Sequence, residues 1–249
     1  MQTIGILIPT TSKGRTWSSL TDTYLLNFTL GTIGKTITSK NRVVFYIGID
    51  DDDHIFSTTK NKTDLTDFVT ANFGAGTIQF ISMSSVEKGH LTKMWNILFR
   101  KAYDDGCDFF FQCGDDISFE SKGWEDDCIN TLALNNNIGV TGPKNNHPRI
   151  LTQTFVSRKH MEIFGFYFPE TIRNWCCDDW VCYVYSPKHY FPLQNHYCSN
   201  NGGQPRYEID GKQNFTSVDM QILRDKCNKQ VDSDKHTLER YIMTNKVVV

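Results

Sequence analysis

Nowhere in the chain do two cysteines stand in a Cys-x-x-Cys pair, although there are eight cysteines in all. That spacing leaves a structural zinc site without a ligand framework, and with no leader peptide in view disulfides are not expected. Cys176, Cys177 and Cys182 are near enough in sequence to hold a metal, but reduced, packed thiols are the simpler reading. No apolar run approaches the length of a membrane span, and the opening "MQTIGILIPTTSKG" has no basic region before its short apolar segment. A soluble, cytoplasmic protein with no membrane span is expected. Charge of one sign is also missing, since 26 basic and 28 acidic residues leave a formal net charge of −2. Such a balance gives no electrostatic footprint for nucleic acid. No repeat, low-complexity tract or linker interrupts the 249 residues, enough for one domain with a real core, or one domain plus an appendage.

What the first half does contain is alternation. Apolar runs predict strands at Ile4–Pro9, Val43–Ile49, Thr77–Ser82 and Asp108–Cys113. Between them, Leu20, Tyr24 and Phe28 recur at helical spacing, and Thr63-Asp64 can cap a helix built on Leu65, Phe68 and Val69 that stops near Gly74. The strongest helical stripe is Leu91, Met94, Trp95, Leu98, Phe99, Ala102 and Tyr103, with Gly106 as its stop. Apolar runs of this kind suit a parallel sheet buried on both faces, so the fold class is α/β. The second half is less regular. It predicts helices at Trp124–Leu134 and Arg158–Phe164, a strand at Ile138–Thr141, a helix end at Val181–Tyr185 and a strand at His189–Leu193. A C-terminal helix pair is expected from Ser217 to about Asn245.

The chemistry concentrates where predicted strands end. "FFFQCGDDISF", Phe109–Phe119, drives three phenylalanines into Asp115 and Asp116, and an acid pair there is expensive unless something positive neutralises it. Thr10-Thr11 to Arg15 and the four aspartates Asp50–Asp53 follow two other strands. In open α/β sheets ligands bind beyond the carboxyl ends of the strands, so these clusters can line one crevice, where a divalent cation can neutralise the acids. Two of the four aspartates at Asp50–Asp53 are expected to be a solvated acidic turn, Asp53 among them. Farther on, "NWCCDDWV" sets Asp178 and Asp179 between Trp175 and Trp180, a setting that holds a carboxylate poorly solvated and suits a general base. Trp124 and Trp175 can stack on sugar faces or belong to the core.

In this order of elements the sequence resembles a GT-A glycosyltransferase of the family-2 type, over roughly Ile4 to His196. The carrying features are a strand ending in Pro-Thr, a second ending in aspartates, a Lys-x-x-Asn helix with Lys93 and Asn96, then Gly114-Asp115-Asp116 where that family has its DxD motif. Gly114 departs from the pattern, which has an acid there. The resemblance implies a GT-A fold, a mixed, mostly parallel sheet flanked by helices with a C-terminal helical segment. It implies one domain over 1–249, with a nucleotide-sugar half (1–116), an acceptor-side half (117–215) and C-terminal helices (216–249). It also implies inverting transfer of a sugar from a nucleotide-sugar, a UDP-sugar foremost, to a hydroxyl of a glycan, protein or lipid-linked acceptor. Mn²⁺ or Mg²⁺ would be held by Asp116 and a late histidine, His196, with His147 as the alternative. Thr10, Thr11, Asp50, Asp52, Lys93, Asn96 and Asp115 would hold base, ribose and phosphate, and Arg15 would meet the diphosphate as a charge-assisted donor. Asp179 would be the base and Asp178 would position a substrate. "NNGG" at Asn200–Gly203 would close over the donor. A sugar-nucleotide nucleotidyltransferase and an inactive nucleotide-sugar-binding module are the competing readings.

Overall fold

Phe109, Phe110 and Phe111 lie in mid-sheet and send their side chains alternately into two separate cores. The computed structural model describes residues 1–38, 40–74 and 76–245. Its strands are β1 (Thr3–Thr10), β2 (Arg42–Ile49), β3 (Ile78–Ser82), β4 (Phe109–Gln112), β5 (Ile117–Phe119), β6 (Val140–Lys144), β7 (Thr154–Ser157) and β8 (Tyr190–Asn200). They form one eight-stranded sheet in the order β3-β2-β1-β4-β7-β6-β8-β5. The first four strands in that order are mutually parallel, β7 is antiparallel to both β4 and β6, and β8 runs parallel to β6. β5 closes the far edge antiparallel to β8.

The period of two along β1 and β2 decides what covers each face. Ile4, Ile6 and Ile8 join Val43, Phe45, Ile47, Phe109 and Phe111 in one core. The helices α1 (Gly31–Thr36), α2 (Thr59–Phe73) and α4 (Trp124–Leu134) cover that face. Leu7, Val44, Tyr46 and Phe110 enter the other core, under α3 (Leu91–Asp104), α5 (Arg158–Phe164), α6 (Cys177–Tyr185) and α7 (Ser217–Thr244). The stripe predicted on α3 is the buried one: Met94, Trp95, Leu98, Phe99 and Ala102 all lie inside. At about 25 cal/mol per Å² of apolar surface, two such layers supply most of the drive to fold.

Several boundaries differ from expectation. The C-terminal helix pair is one helix, α7, of 28 residues. Nothing between Ser217 and Thr244 breaks a helix, and Thr216 with Asp219 forms a capping box at its start. Its buried face, Leu223, Cys227, Val231 and Leu238, packs on α5 and α6. Residues 246–249, included in the expected C-terminal helices, lie outside the described residues. Helix α2 starts one turn earlier than Thr63, because the Thr58 side chain accepts the Asn61 N–H at 3.3 Å. The helical spacing of Leu20, Tyr24 and Phe28 resolves into a short turn at Leu20–Asp22 and a wider π-type helix at Leu25–Leu30. Strands β5 and β7 were not predicted, and β8 continues well past Leu193. All eight cysteines are free thiols, and every one except Cys176 is buried. No described helix is long and apolar enough to cross a membrane.

Candidate active site

Parallel register brings the polar clusters to one edge. Thr10 pairs with Ile49 and Leu7 with Gln112, so the chain leaves β1, β2 and β4 side by side at Thr11, Asp50 and Cys113. Beyond that edge lies a cavity of about 550 Å³, within the range of small-molecule sites. Thr10, Thr11, Arg15, Asp50, Asp115 and Asp116 line it. So do Trp175, Asp178 and Asp179, together with Met220 and Arg224 from α7.

The segment after β8 completes the wall. Arg206 grips Asp115 with two hydrogen bonds, one of 2.6 Å from Nη1 to Oδ2 and the other from Nη2 to Oδ1. Arg206 Nη1 also donates to the Thr11 carbonyl at 2.9 Å, and Nη2 lies 3.7 Å from Asp116 Oδ2. Burial works against the Arg206 charge, but Asp115 outweighs it and the pKa rises. Thr10 Oγ1 adds a 2.7 Å bond to Asp115 Oδ2. Tyr207 donates to Asp50 Oδ2 at 3.1 Å, and Lys88 Nζ reaches the same oxygen at 3.1 Å. Arg15 ties the segment down by donating to the carbonyls of Gly202 (2.6 Å) and Gln204 (3.0 Å).

Asp116 sits between two glycines. A Cβ on Gly114 would fall 2.6 Å from its Oδ1, and a Cβ on Gly202 would fall 1.7 Å from its Oδ2. The residue that breaks the DxD pattern is therefore one where a side chain would meet Asp116, the second acid of the triplet. Burial, and then the neighbouring Asp115 charge, push the Asp116 carboxyl up to about 6, against the opposing pull of Arg206.

These surroundings bear on a cation. Mg²⁺ and Mn²⁺ need several hard oxygen ligands. Among the described residues no group of three or more His, Cys, Asp or Glu side chains is placed to hold a metal ion. Asp115 gives both oxygens to Arg206, and glycine backbone crowds both oxygens of Asp116. As arranged, the residues do not fit the expected Mn²⁺ or Mg²⁺. His196 does not join them: it pairs with Asp127 at 2.7 Å and Ser121 at 3.0 Å, and it does not line the cavity. His147 does line it.

Asp178 and Asp179 form the first turn of α6, after Cys176 takes a left-handed conformation at φ 70°. Burial, and then the adjoining Asp179 charge, push the Asp178 carboxyl up to about 7. Cys177 Sγ donates weakly to Asp178 Oδ1 at 3.6 Å. Its accessible surface faces the cavity, so a substrate there would meet a carboxylate poised near neutrality.

Of the other expected residues, Asp50 is buried at the cavity, whereas Asp52 points outward, 77% exposed, to Lys88. Asp53 is not solvated. It is 6% exposed and accepts from Ser12 N (2.6 Å), Ile55 N (3.0 Å), Phe56 N (2.9 Å) and the Thr11 hydroxyl (3.0 Å). Asp51 and Asp52 make the solvated turn instead. Lys93 is near Glu170 at 3.8 Å, and Asn96 clamps the backbone of Tyr167 and Phe168; neither reaches the cavity. Trp124 is fully buried against Phe111 and Phe119, while Trp175 is 43% exposed at the cavity. Sequence reasoning missed Arg206 and Tyr207. Their signal was a Gly-Gly pair and a proline directly before an Arg-Tyr dipeptide, "NNGGQPRY".

No family model and no curated protein sequence matches the chain. Solved structures do. Residues 1–349 of S. aureus TarS in complex with UDP-GlcNAc align with a TM-score of 0.57 at 12% identity, over 98% of this chain and 73% of that one. The same TarS fragment with UDP gives a TM-score of 0.54 at 11% identity, over 80% of this chain and 60% of that one. GalNAc-T7 with UDP, GalNAc and Mn²⁺ gives 0.56 at 11% identity, over 86% of this chain and 46% of that one. The chain thus spans 60% of the TarS fragment in its UDP complex and less of GalNAc-T7. At such identities the likeness is one of fold: the chain has the GT-A fold of these glycosyltransferases.

Proposed function

We propose that the chain is a glycosyltransferase that moves a sugar from a nucleotide-sugar, a UDP-sugar foremost, to an acceptor hydroxyl. One observation carries this reading: one cavity is lined both by two guanidinium groups, Arg15 and Arg206, and by a carboxylate pair, Asp178-Asp179, in a GT-A fold. The donor's nucleotide lies along Thr10, Thr11 and Asp50, and Trp175 offers an aromatic face to the acceptor sugar or chain.

The reaction asks the protein for a base and for positive charge. A carboxylate of the pair takes the acceptor O–H proton as that oxygen attacks the anomeric carbon. The bond from that carbon to the diphosphate oxygen breaks, and its electron pair leaves with the nucleoside diphosphate. Attack from the side opposite the leaving group inverts the centre. The resemblance pointed to Asp179 as base; the surroundings favour Asp178, whose carboxyl is raised to about 7. Asp179 then orients the acceptor. The metal-dependent form of the reaction is not carried into this proposal, because the acid pair that would bind the cation is engaged by Arg206 and crowded by Gly114 and Gly202.

Release of nucleoside diphosphate from a panel of UDP-, GDP- and ADP-sugars, with acceptor glycans and peptides, tests the proposal. Pyrophosphate release from nucleoside triphosphate and sugar 1-phosphate instead would identify a nucleotidyltransferase, and binding without turnover would identify an inactive module.

A further inference from the structure

We infer that this chain binds a nucleoside diphosphate without a divalent cation, with Arg206 and Arg15 supplying the charge that a cation would bring. The inference rests on the donor-site reading above.

Charge is the first support. Asp115 and Asp116 bring two negative charges to the end of β4, and a divalent cation would cancel both. Here Arg206 and Arg15 bring two positive charges to the same wall. The Arg206 guanidinium is fixed by three hydrogen bonds, two to Asp115 and one to the Thr11 carbonyl. The fork itself is spent on Asp115, and the N–H groups it leaves over are held in place for a phosphate oxygen.

Space is the second. With the segment after β8 in place, Gly202 lies against one oxygen of Asp116 and Arg206 takes both oxygens of Asp115, which leaves few oxygens of the acid pair open to a cation. The cavity nonetheless keeps about 550 Å³, room for a nucleotide-sugar, so the segment need not leave for a donor to enter.

The third support is an unmet donor. Arg15 spends Nη2 on Gly202 and Gln204, but its Nε is buried and has no hydrogen-bond partner. Buried N–H groups without partners are rare, and Arg15 lines the cavity, so a turn of its side chain on ligand binding gives that donor an acceptor oxygen. When the bond from the anomeric carbon to the diphosphate breaks, the electron pair lands on an oxygen that these guanidinium groups meet as it becomes charged.

Calorimetry decides the matter. Wild-type protein treated with EDTA is titrated with UDP, GDP, ADP and CDP, then again with Mn²⁺ present. Arg206→Ala and Arg206→Lys are measured the same way after circular dichroism confirms their fold. Wild type is expected to bind one of the four in EDTA and to change by less than about threefold with Mn²⁺. Arg206→Ala should lose about 10- to 100-fold in EDTA and regain affinity with Mn²⁺, because it frees an acid pair that a cation can then neutralise. Arg206→Lys should lose less and gain nothing from Mn²⁺. Wild-type binding that vanishes in EDTA and returns with Mn²⁺ overturns the inference and leaves the proposed function standing, even if neither variant folds. Binding of none of the four under either condition overturns both.

Discussion

Gly202 lies so close to Asp116 that a methyl group on it would fall 1.7 Å from a carboxylate oxygen. The segment after β8 and the turn after β4 are therefore closed on each other at one point, and glycine is the residue that permits it. Gly202→Ala has to move one of the two. Because the same segment carries Arg206 and Tyr207 onto Asp115 and Asp50, the displacement reaches the whole donor wall. The expected outcome is a nucleoside-diphosphate affinity lower by about tenfold or more, close to one lost charge-assisted hydrogen bond. The core is untouched, so the thermal midpoint should move little. Titration calorimetry beside a melting curve checks both, and unchanged affinity would detach this segment from the donor site.

Asp178 ties rate to pH. Its carboxyl, raised to about 7 by burial and by Asp179, must lose its proton to act as a base, so kcat should climb through about pH 7 and then level. Asp178→Asn should leave a low, flat profile. Stability runs the other way. The folded-state value lies above the ordinary carboxylate value of 3.8, so the folded chain holds this proton more tightly than the unfolded chain does. The stability it contributes is complete below the unfolded value and is lost as pH rises through about 7. Asp178→Asn should therefore gain on wild type in melting temperature between about pH 5 and about pH 8. A constant difference between the two proteins would place the titration elsewhere.

Asp53 and Asp52 are adjacent in sequence and should differ in consequence. Asp53 is a buried acceptor for three backbone N–H groups, and its removal orphans them. Burial pushes its carboxyl up, but the N–H groups of Phe56, Ser12 and Ile55 outweigh burial and leave it below the usual carboxylate range. Its stabilising effect is thus present above the unfolded value and fades in acid. Asp53→Ala should cost about 2–4 kcal/mol of stability near neutral pH. Asp52 is largely exposed and pairs with Lys88, so Asp52→Ala should leave stability nearly unchanged. Urea unfolding of both variants makes the comparison, and equal losses would contradict it.

Where periodicity spoke clearly, the sequence was readable. The α3 stripe, the parallel strands and the gathering of Thr10, Asp50 and Asp115 at one edge all followed from apolar runs and where they stop. The short strands β5 and β7 carried too few residues to show a period against their surroundings. Asp53 was misjudged because four aspartates in a row give no clue to which one turns inward; that is set by the Ser12 and Phe56 N–H groups, which come from different parts of the chain. Lys93 and Asn96 sat on the side of α3 that its apolar stripe leaves free, and tertiary packing used Asn96 to brace Tyr167 and Phe168. Arg206 was the largest omission. The glycines and proline of "NNGGQPRY" mark a turn there, but not that its arginine meets a partner 91 positions away; only the fold brings it to Asp115.

The account depends most on the cavity having two ends with separate work. Asp50→Ala and Asp178→Asn address one end each, and paired single-turnover transfer and nucleoside-diphosphate titration on both variants test that division directly. Asp50 is buried and bonded to Tyr207 and Lys88 at the donor end, so Asp50→Ala should weaken nucleoside-diphosphate binding about tenfold while a saturated donor still reacts. Asp178→Asn should bind nucleoside diphosphate nearly as wild type does and transfer sugar about two to four orders of magnitude more slowly. Near-normal transfer by Asp178→Asn and Asp179→Asn alike, or loss of nucleotide affinity in Asp178→Asn with none in Asp50→Ala, would contradict the account.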